Sequence, residues 1–171
     1  MSRLASRLAD DEQSAWAELY DATANSLFHY ITSLTGDPDV TAEILQETFV
    51  RLFRTRERLR TVEDLKAFVF TVTRNEANRW LSAMARRPRF SERNEHLAWH
   101  AGDSQHEDTE LLHHAIAGLS VDQREVVHLN TYCEFTFAQI AKILNLPVGT
   151  CTSRYRRALS TIRTTIQEQL R

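Results

Sequence analysis

Apolar residues recur at three- and four-residue spacing along almost the whole chain, which predicts an all-α protein. After Asp10 and Asp11, the positions Trp16, Leu19, Tyr20, Leu27, Phe28 and Ile31 form the buried stripe of a first helix that Gly36 stops. Asp37-Pro38 is a helix start, because the carboxylate can accept from free amides and proline tolerates the first helical position. The helix that follows puts Val40, Ile44, Leu45, Phe49, Leu52 and Phe53 on one face. It leaves Glu43, Gln46, Glu47, Val50, Arg51 and Arg54 on or near the other. A basic stretch from Arg54 to Arg60 breaks the pattern. A third long helix then runs from about Val62 to Arg86, apolar at Leu65, Phe68, Val69, Val72, Trp80, Leu81 and Met84.

From Pro88 to Glu110 the apolar residues thin out, leaving an acidic, polar segment in which only Leu97 and Trp99 could dock. Helical spacing returns at Leu111–Leu119. Ser120 with Gln123, and Thr136 with Gln139, have capping-box spacing and open two further helices. Asn145-Leu146-Pro147 is a tight break before a last helix over about Val148–Leu170. The expected architecture is two small helical domains, 1–87 and 111–171, joined by an acidic linker over 88–110.

Composition narrows the classes. Four Gly and three Pro are too few for a turn-rich sandwich or barrel. No apolar run approaches the ~18–20 residues needed to cross a bilayer. The start of the chain has no apolar signal-peptide core, so membrane insertion is not expected. Cys133 and Cys151 form no CxxC, which suits a reducing cytoplasm. The net charge of −2 conceals an alternation: residues 1–50 carry −7, 51–93 carry +7, 94–110 carry −5 and 111–171 carry +3. Two basic segments of this kind point to an anionic partner; solvated helix faces are the bland alternative.

Thr136 to Arg157 has the layout of a helix-turn-helix. Phe137, Ile140, Ala141 and Leu144 turn inward on a short first helix, and the small Ala141 allows a close crossing. The second helix opens with Gly149, Thr150, Thr152 and Ser153, then Arg154, Arg156 and Arg157. Free amides and short hydroxyls at a helix N-terminus suit phosphate, and arginines one turn later can reach guanine edges. Periodicity alone leaves a plain helical hairpin open.

Five blocks make the chain recognisable. Leu119-Ser-Val-Asp-Gln-Arg-Glu-Val126, Phe137-Ala-Gln-Ile-Ala-Lys-Ile-Leu144 and Leu146-Pro-Val-Gly-Thr-Cys-Thr-Ser-Arg154 resemble the C-terminal domain of extracytoplasmic-function sigma factors. Leu45-Gln-Glu-Thr-Phe-Val-Arg-Leu-Phe53 resembles that family's core-polymerase-binding helix. Lys66-Ala-Phe-Val-Phe-Thr-Val-Thr-Arg-Asn75 resembles its −10-opening helix. The resemblance spans roughly residues 12–86 and 111–165, in the family's order. It implies a first domain that docks on the clamp coiled coil of core RNA polymerase and captures the unpaired −10 strand. It implies a second domain that reads −35 promoter DNA as duplex, a linker near the RNA exit path, and by family habit an anti-sigma partner. The two boxes lie about 50–70 Å apart at ~34–36 Å per DNA turn. The 23-residue linker reaches at most ~75–80 Å, so the span is feasible.

On this resemblance, Asp39, Glu43, Gln46, Glu47, Arg51 and Arg54 contact core polymerase, and Phe49 is core. Lys66, Phe68, Phe70, Arg74, Asn75, Asn78 and Arg79, with Arg56, Arg58 and Arg60 nearby, form the −10 surface. Strand capture needs cations for the backbone and aromatic faces for unstacked bases. The loop Thr61 to Leu65 sits where the family holds a flipped base. Thr150, Thr152, Ser153, Arg154, Arg156 and Arg157 face the −35 duplex. Three positions depart from the family pattern: Arg79 replaces an Asp or Asn, Thr152 a basic residue, and Cys151 an aliphatic one. Val40-Thr41-Ala42 also interrupts the usual acidic cluster, and phosphorylation of Thr41 is one way to restore its charge. His96, His100, His106, His113 and His114 lack an HExxH or paired-cysteine context, so no metal is expected. Nothing resembles a nucleophile–base pair, a phosphate-binding glycine loop or a cofactor site, so neither enzyme activity nor a cofactor is expected. The rivals are a free-standing helix-turn-helix regulator and, more remotely, a His-dependent metal hydrolase.

Overall fold

The computed structural model describes residues 2–86 and 107–170, and among the described residues all regular structure is helical. Eight α-helices follow one another: α1 Ser2–Ala9, α2 Gln13–Thr35, α3 Pro38–Arg54, α4 Leu65–Ala85, α5 Glu107–Ala117, α6 Val121–Thr131, α7 Phe137–Leu144 and α8 Val148–Gln169. A 3₁₀ turn, Arg56–Thr61, joins α3 to α4. None of these helices is long and apolar enough to cross a membrane. The expected linker lies outside the described residues except for its last four, which already belong to α5. The readings of Leu97, Trp99, His96, His100 and His106 fall outside as well.

Local chemistry sets most of the boundaries. Gly36 ends α2 in the left-handed region at φ 68°, with its N–H donated to the Thr32 carbonyl. The Asp37 carboxylate then accepts from the amides of Asp39 and Val40, with Pro38 in the first turn of α3. Helix α4 starts three residues later than its apolar spacing suggests. Asp64 is its cap, accepting from the Ala67 amide, and Val62 is still extended. Both capping boxes form, Ser120 with Gln123 and Thr136 with Gln139. Asn145 turns the chain at φ 53° between α7 and α8. Replacing Thr136 with alanine removes one half of the α7 box, and urea unfolding should register a loss of about 1 kcal/mol.

Helix α1 was not expected from the sequence. Leu4, Ala5, Leu8 and Ala9 make a stripe only two turns long; Ala5 and Leu8 are buried, as is Leu59 of the 3₁₀ turn on which α1 packs. Arg60 also donates to Asp10 at 2.6 Å, which ties the turn to the end of α1.

The N-terminal helices α1–α4 and the C-terminal helices α5–α8 share one apolar core. Phe70 of α4 lies between Tyr30 of α2 (5.4 Å between ring centroids) and Phe135 before α7 (4.8 Å). Helix α4 packs on α7, and α2 on α6. A second, smaller cluster of Ile116, Leu119, Val127 and Ala158 holds α5, α6 and α8 together.

His128 on α6 sits beside this junction, its ring stacked on Tyr132 at 5.2 Å and 5.9 Å from Tyr30. Burial, assisted by the nearby His29, pulls its pKa down to about 4. The folded chain therefore holds His128 neutral where an unfolded chain, with an ordinary value near 6.5, takes up a proton. Stability carried by this group is complete above about pH 6.5 and is lost as pH falls towards 4. The loss amounts to roughly 3 kcal/mol at most. In parallel acid titrations, a His128→Phe variant should lose less stability than the parent over that window.

Candidate functional site

Three surfaces carry the residues singled out above. On α3, Asp39, Glu43, Gln46, Glu47 and Arg54 are exposed, while Arg51 leans back towards α4. Arg51 pairs with Glu76 at 3.1 Å, and the other oxygen of Glu76 accepts from Arg79 at 2.8 Å. Glu76 is nearly buried, so two cations from two elements neutralise it and fix where they stand.

Beside this face runs a groove of about 850 Å³ between α2 and α3, walled by Trp16, Tyr20, Phe28, Leu45, Phe49 and Phe53. Tyr20 and Phe53 are 49% and 42% exposed, not core as their spacing suggested. Phe49 is half-buried and stands 5.1 Å from the Tyr20 ring. Phe53 is held between the Trp16 ring, at 5.4 Å, and the Arg56 guanidinium, at 4.8 Å. Periodicity had counted every one of these aromatics as interior. No local signal separates the open rings from the buried ones, because the packing of α2 on α3 decides which side of each helix stays uncovered.

On α4 the structure divides the candidate strand-capturing set. Asn75, Asn78 and Arg79 are exposed. Phe70 is fully buried and Phe68 is packed against the core. Phe70 therefore does not serve as a stacking platform in this arrangement, because it fills the junction between the two halves. Lys66 and Arg74 are half-buried and already engaged. Lys66 donates to the Cys133 carbonyl at 2.7 Å and lies 4.8 Å from the Phe135 ring centroid. Arg74 donates to both oxygens of Glu125, at 2.8 and 3.3 Å, and the Tyr30 hydroxyl donates to the same carboxylate at 2.7 Å. Burial first, and the Glu125 charge second, push the Tyr30 phenol well above its usual range, so it remains a donor.

The loop before α4 is tied down too. Asp64 accepts from the Gln139 side-chain amide at 2.7 Å. Burial opposes its ionisation, yet the amides of Ala67 and Gln139 hold its carboxyl below the usual range.

On α8, Arg156 and Arg157 are exposed, and Thr150, Thr152, Ser153 and Arg154 are half-buried. The hydroxyls of Thr152 and Ser153 donate to their own helix, to the carbonyls of Val148 and Thr150. Arg154 pairs with Asp122 at 2.6 Å. Pro147 precedes the helix and supplies no side-chain cap, so the first amides of α8 are not taken by a cap. A Cβ added at Gly149 meets nothing within 4 Å, so backbone there can be approached closely. Cys151 and Ala158 anchor the buried side, and Tyr155 packs against Phe137 with ring centroids 5.4 Å apart. This is a helix-turn-helix with its second helix presenting a basic edge.

Both thiols are free and buried. Burial raises that of Cys133 to about 12, so the cysteines pack as small hydrophobes. Thr41 is fully buried. Its hydroxyl donates to the Asp37 carbonyl at 2.8 Å and lies 3.1 Å from the Thr32 hydroxyl. This overturns the phosphorylation reading, since a kinase cannot reach that oxygen in the folded chain.

Known families match both halves in this order. The Sigma-70 region 2 family covers residues 19–87, and the Sigma-70 region 4 family covers residues 109–162. The ECF RNA polymerase sigma factor SigL of Mycobacterium tuberculosis is 30% identical over 92% of each chain. The chain belongs to the ECF RNA polymerase sigma factors. Another relative, the ECF RNA polymerase sigma-E factor of Haemophilus influenzae, is 24% identical over 96% of this sigma factor and 94% of its own length. Two solved structures share the fold. The sigma factor RpoE, in complex with the anti-sigma factor NepR from Bartonella quintana, is similar with a TM-score of 0.74 and 23% identity. It covers 88% of this chain and 96% of that one. CnrH, in complex with the cytosolic domain of CnrY, is similar with a TM-score of 0.69 and 17% identity over 98% and 97%. As an ECF sigma factor, the protein is an alternative initiation factor that directs RNA polymerase to promoters.

Proposed function

We propose that the sigma factor works as a two-domain adaptor, with α1–α4 as the polymerase and −10 unit, α5–α8 as the −35 unit, and 88–110 as the connection. The exposed polar face of α3 and the aromatic groove beside it dock on core polymerase. Asn75, Asn78 and Arg79, joined by Lys66 and Arg74 once released, hold the unpaired −10 strand. The uncapped start of α8 takes a −35 phosphate while Arg156 and Arg157 reach into the major groove. The protein contributes no catalysis of its own, acts in the cytoplasm, and is restrained by an anti-sigma factor.

The observation that carries this reading is the groove with its polar rim. Exposed aromatics beside charged and amide side chains are the composition of a protein-binding hot spot, and a free-standing DNA regulator has no use for one. Photocrosslinking from position Gln46 or Glu47 tests it. The expected adduct is with the largest polymerase subunit; an adduct-free holoenzyme that still transcribes contradicts it. Arg79→Ala is expected to weaken −10 strand capture by ~1 kcal/mol while leaving core binding unchanged, measured by permanganate reactivity of the opened promoter.

A further inference from the structure

We propose that this sigma factor is latched shut by its own C-terminal domain, with Glu125 occupying the place of a DNA phosphate on Arg74. The inference rests on the assignment of α4 to the −10 strand. Four polar links, between residues far apart in sequence, cross from the N-terminal helices to the C-terminal ones. Tyr30 and Arg74 both donate to Glu125, Lys66 donates to the Cys133 carbonyl, and Gln139 donates to Asp64. Every one of the four lands on α2, on α4 or on the loop that leads into α4.

The chemistry of the links is that of nucleic-acid binding turned inward. A carboxylate accepting from two guanidinium nitrogens makes the same charge-assisted pair that a phosphate makes. Glu125 is 5% exposed, so with Tyr30 and Arg74 in place its charge is satisfied and water is excluded. While this pair holds, Arg74 cannot turn to a DNA backbone. Lys66 is in the same position, its ammonium spent on a carbonyl and an aromatic face. The loop that should open for a flipped base is held by Gln139, whose carbonyl oxygen accepts from the Thr136 amide and hydroxyl of the α7 cap. One side chain thus couples the start of α7 to the start of α4.

The latch does not cover everything. The groove of Trp16, Tyr20, Phe49 and Phe53 shares no residue with it, and Arg156 and Arg157 stay exposed. Core polymerase can therefore dock on the closed form, and duplex can reach α8, while strand capture waits. Opening exposes Phe70, Phe135 and Tyr30, an apolar cost that a free chain in water does not recover. Docking on polymerase, which holds the two domains apart at two promoter boxes, supplies the difference. The order that follows is polymerase first, opening second, −10 strand third.

Two variants of the full chain test this. Glu125→Lys places a cation against Arg74. Gln139→Glu keeps the oxygen that completes the α7 capping box but sets two carboxylates against each other at Asp64. Circular dichroism checks that both keep their helices, and small-angle scattering reads compaction. Anisotropy of a short random-sequence single-stranded DNA reads strand binding. The expected result is expansion of both variants and a gain in strand affinity of about tenfold or more, as a larger fraction becomes competent. Adding Lys66→Ala and Arg74→Ala should remove the gain, because these are the cations that the latch occupies. Variants that fold but stay as compact as the parent, with unchanged strand affinity, overturn the latch. Variants that expand without gaining strand affinity overturn the masking of α4. In that second case, unchanged promoter opening by an Asn75→Ala, Arg79→Ala holoenzyme identifies the α4 assignment as the error.

Discussion

Replacing Phe53 with alanine weakens binding to core RNA polymerase by about 30-fold, or ~2 kcal/mol, and leaves the fold standing. Phe53, in the last turn of α3, has 42% of its surface exposed and is braced by the Trp16 ring and the Arg56 guanidinium. A side chain held in one orientation loses little entropy when a partner covers it, so most of the gain from its burial is kept. Because it is not part of the buried core, truncation opens no sealed cavity, and the thermal midpoint should move by a few degrees at most. Titration of labelled sigma factor with core enzyme reads the affinity, and a melting curve reads the fold. An unchanged affinity would remove the groove from the polymerase contact and leave the outer face of α3 to carry it alone.

The Arg156→Ala, Arg157→Ala double variant should lose −35 recognition while keeping core affinity. Each good bidentate contact to a base contributes ~1–3 kcal/mol of discrimination, and removing a cation from one phosphate lowers the salt dependence of binding by about one unit. The expected loss is therefore roughly 5- to 150-fold in promoter affinity if one of the two reads a base. Separate single variants divide the roles. The one that relaxes sequence preference at one position reads a base, and the one that weakens all duplexes alike holds a phosphate. Arg154 is expected to matter less in the free protein, because Asp122 already holds it at 2.6 Å. Fluorescence anisotropy on −35 duplexes at two salt concentrations makes the comparison.

How far the sequence discloses this protein depends on how local each cause is. Gly36, Asp37-Pro38, the two capping boxes and Asn145 act within four residues of themselves, and the helix ends they imply are where the structure has them. Helix α1 escaped notice because it is two turns long and becomes intelligible only beside Leu59, fifty residues away. The burial of Phe70 is not legible from spacing because α4 is buried on two faces. One packs on α2 and α3 and the other on the C-terminal half, so no single stripe describes it. Tyr20 and Phe53 fit a core periodicity perfectly well. Only the packing of α2 on α3 determines that their rings line an open groove. The pairing of Arg74 with Glu125, like that of Asp64 with Gln139, joins residues more than fifty positions apart, and nothing in either neighbourhood announces it. The motifs were sufficient for the family, since two blocks in order carry more information than any spacing. They could not say that Lys66 and Arg74 of α4 are held by groups of the C-terminal half.

The most direct test of the account is a titration of purified core RNA polymerase with the sigma factor, followed by size-exclusion chromatography at moderate salt and transcription from promoter fragments. A stoichiometric complex that initiates at discrete start sites, from a sigma factor that alone binds single-stranded DNA weakly, is the predicted result. Absence of a complex, together with tight salt-dependent duplex binding by the free protein, would contradict it and favour a regulator acting without polymerase.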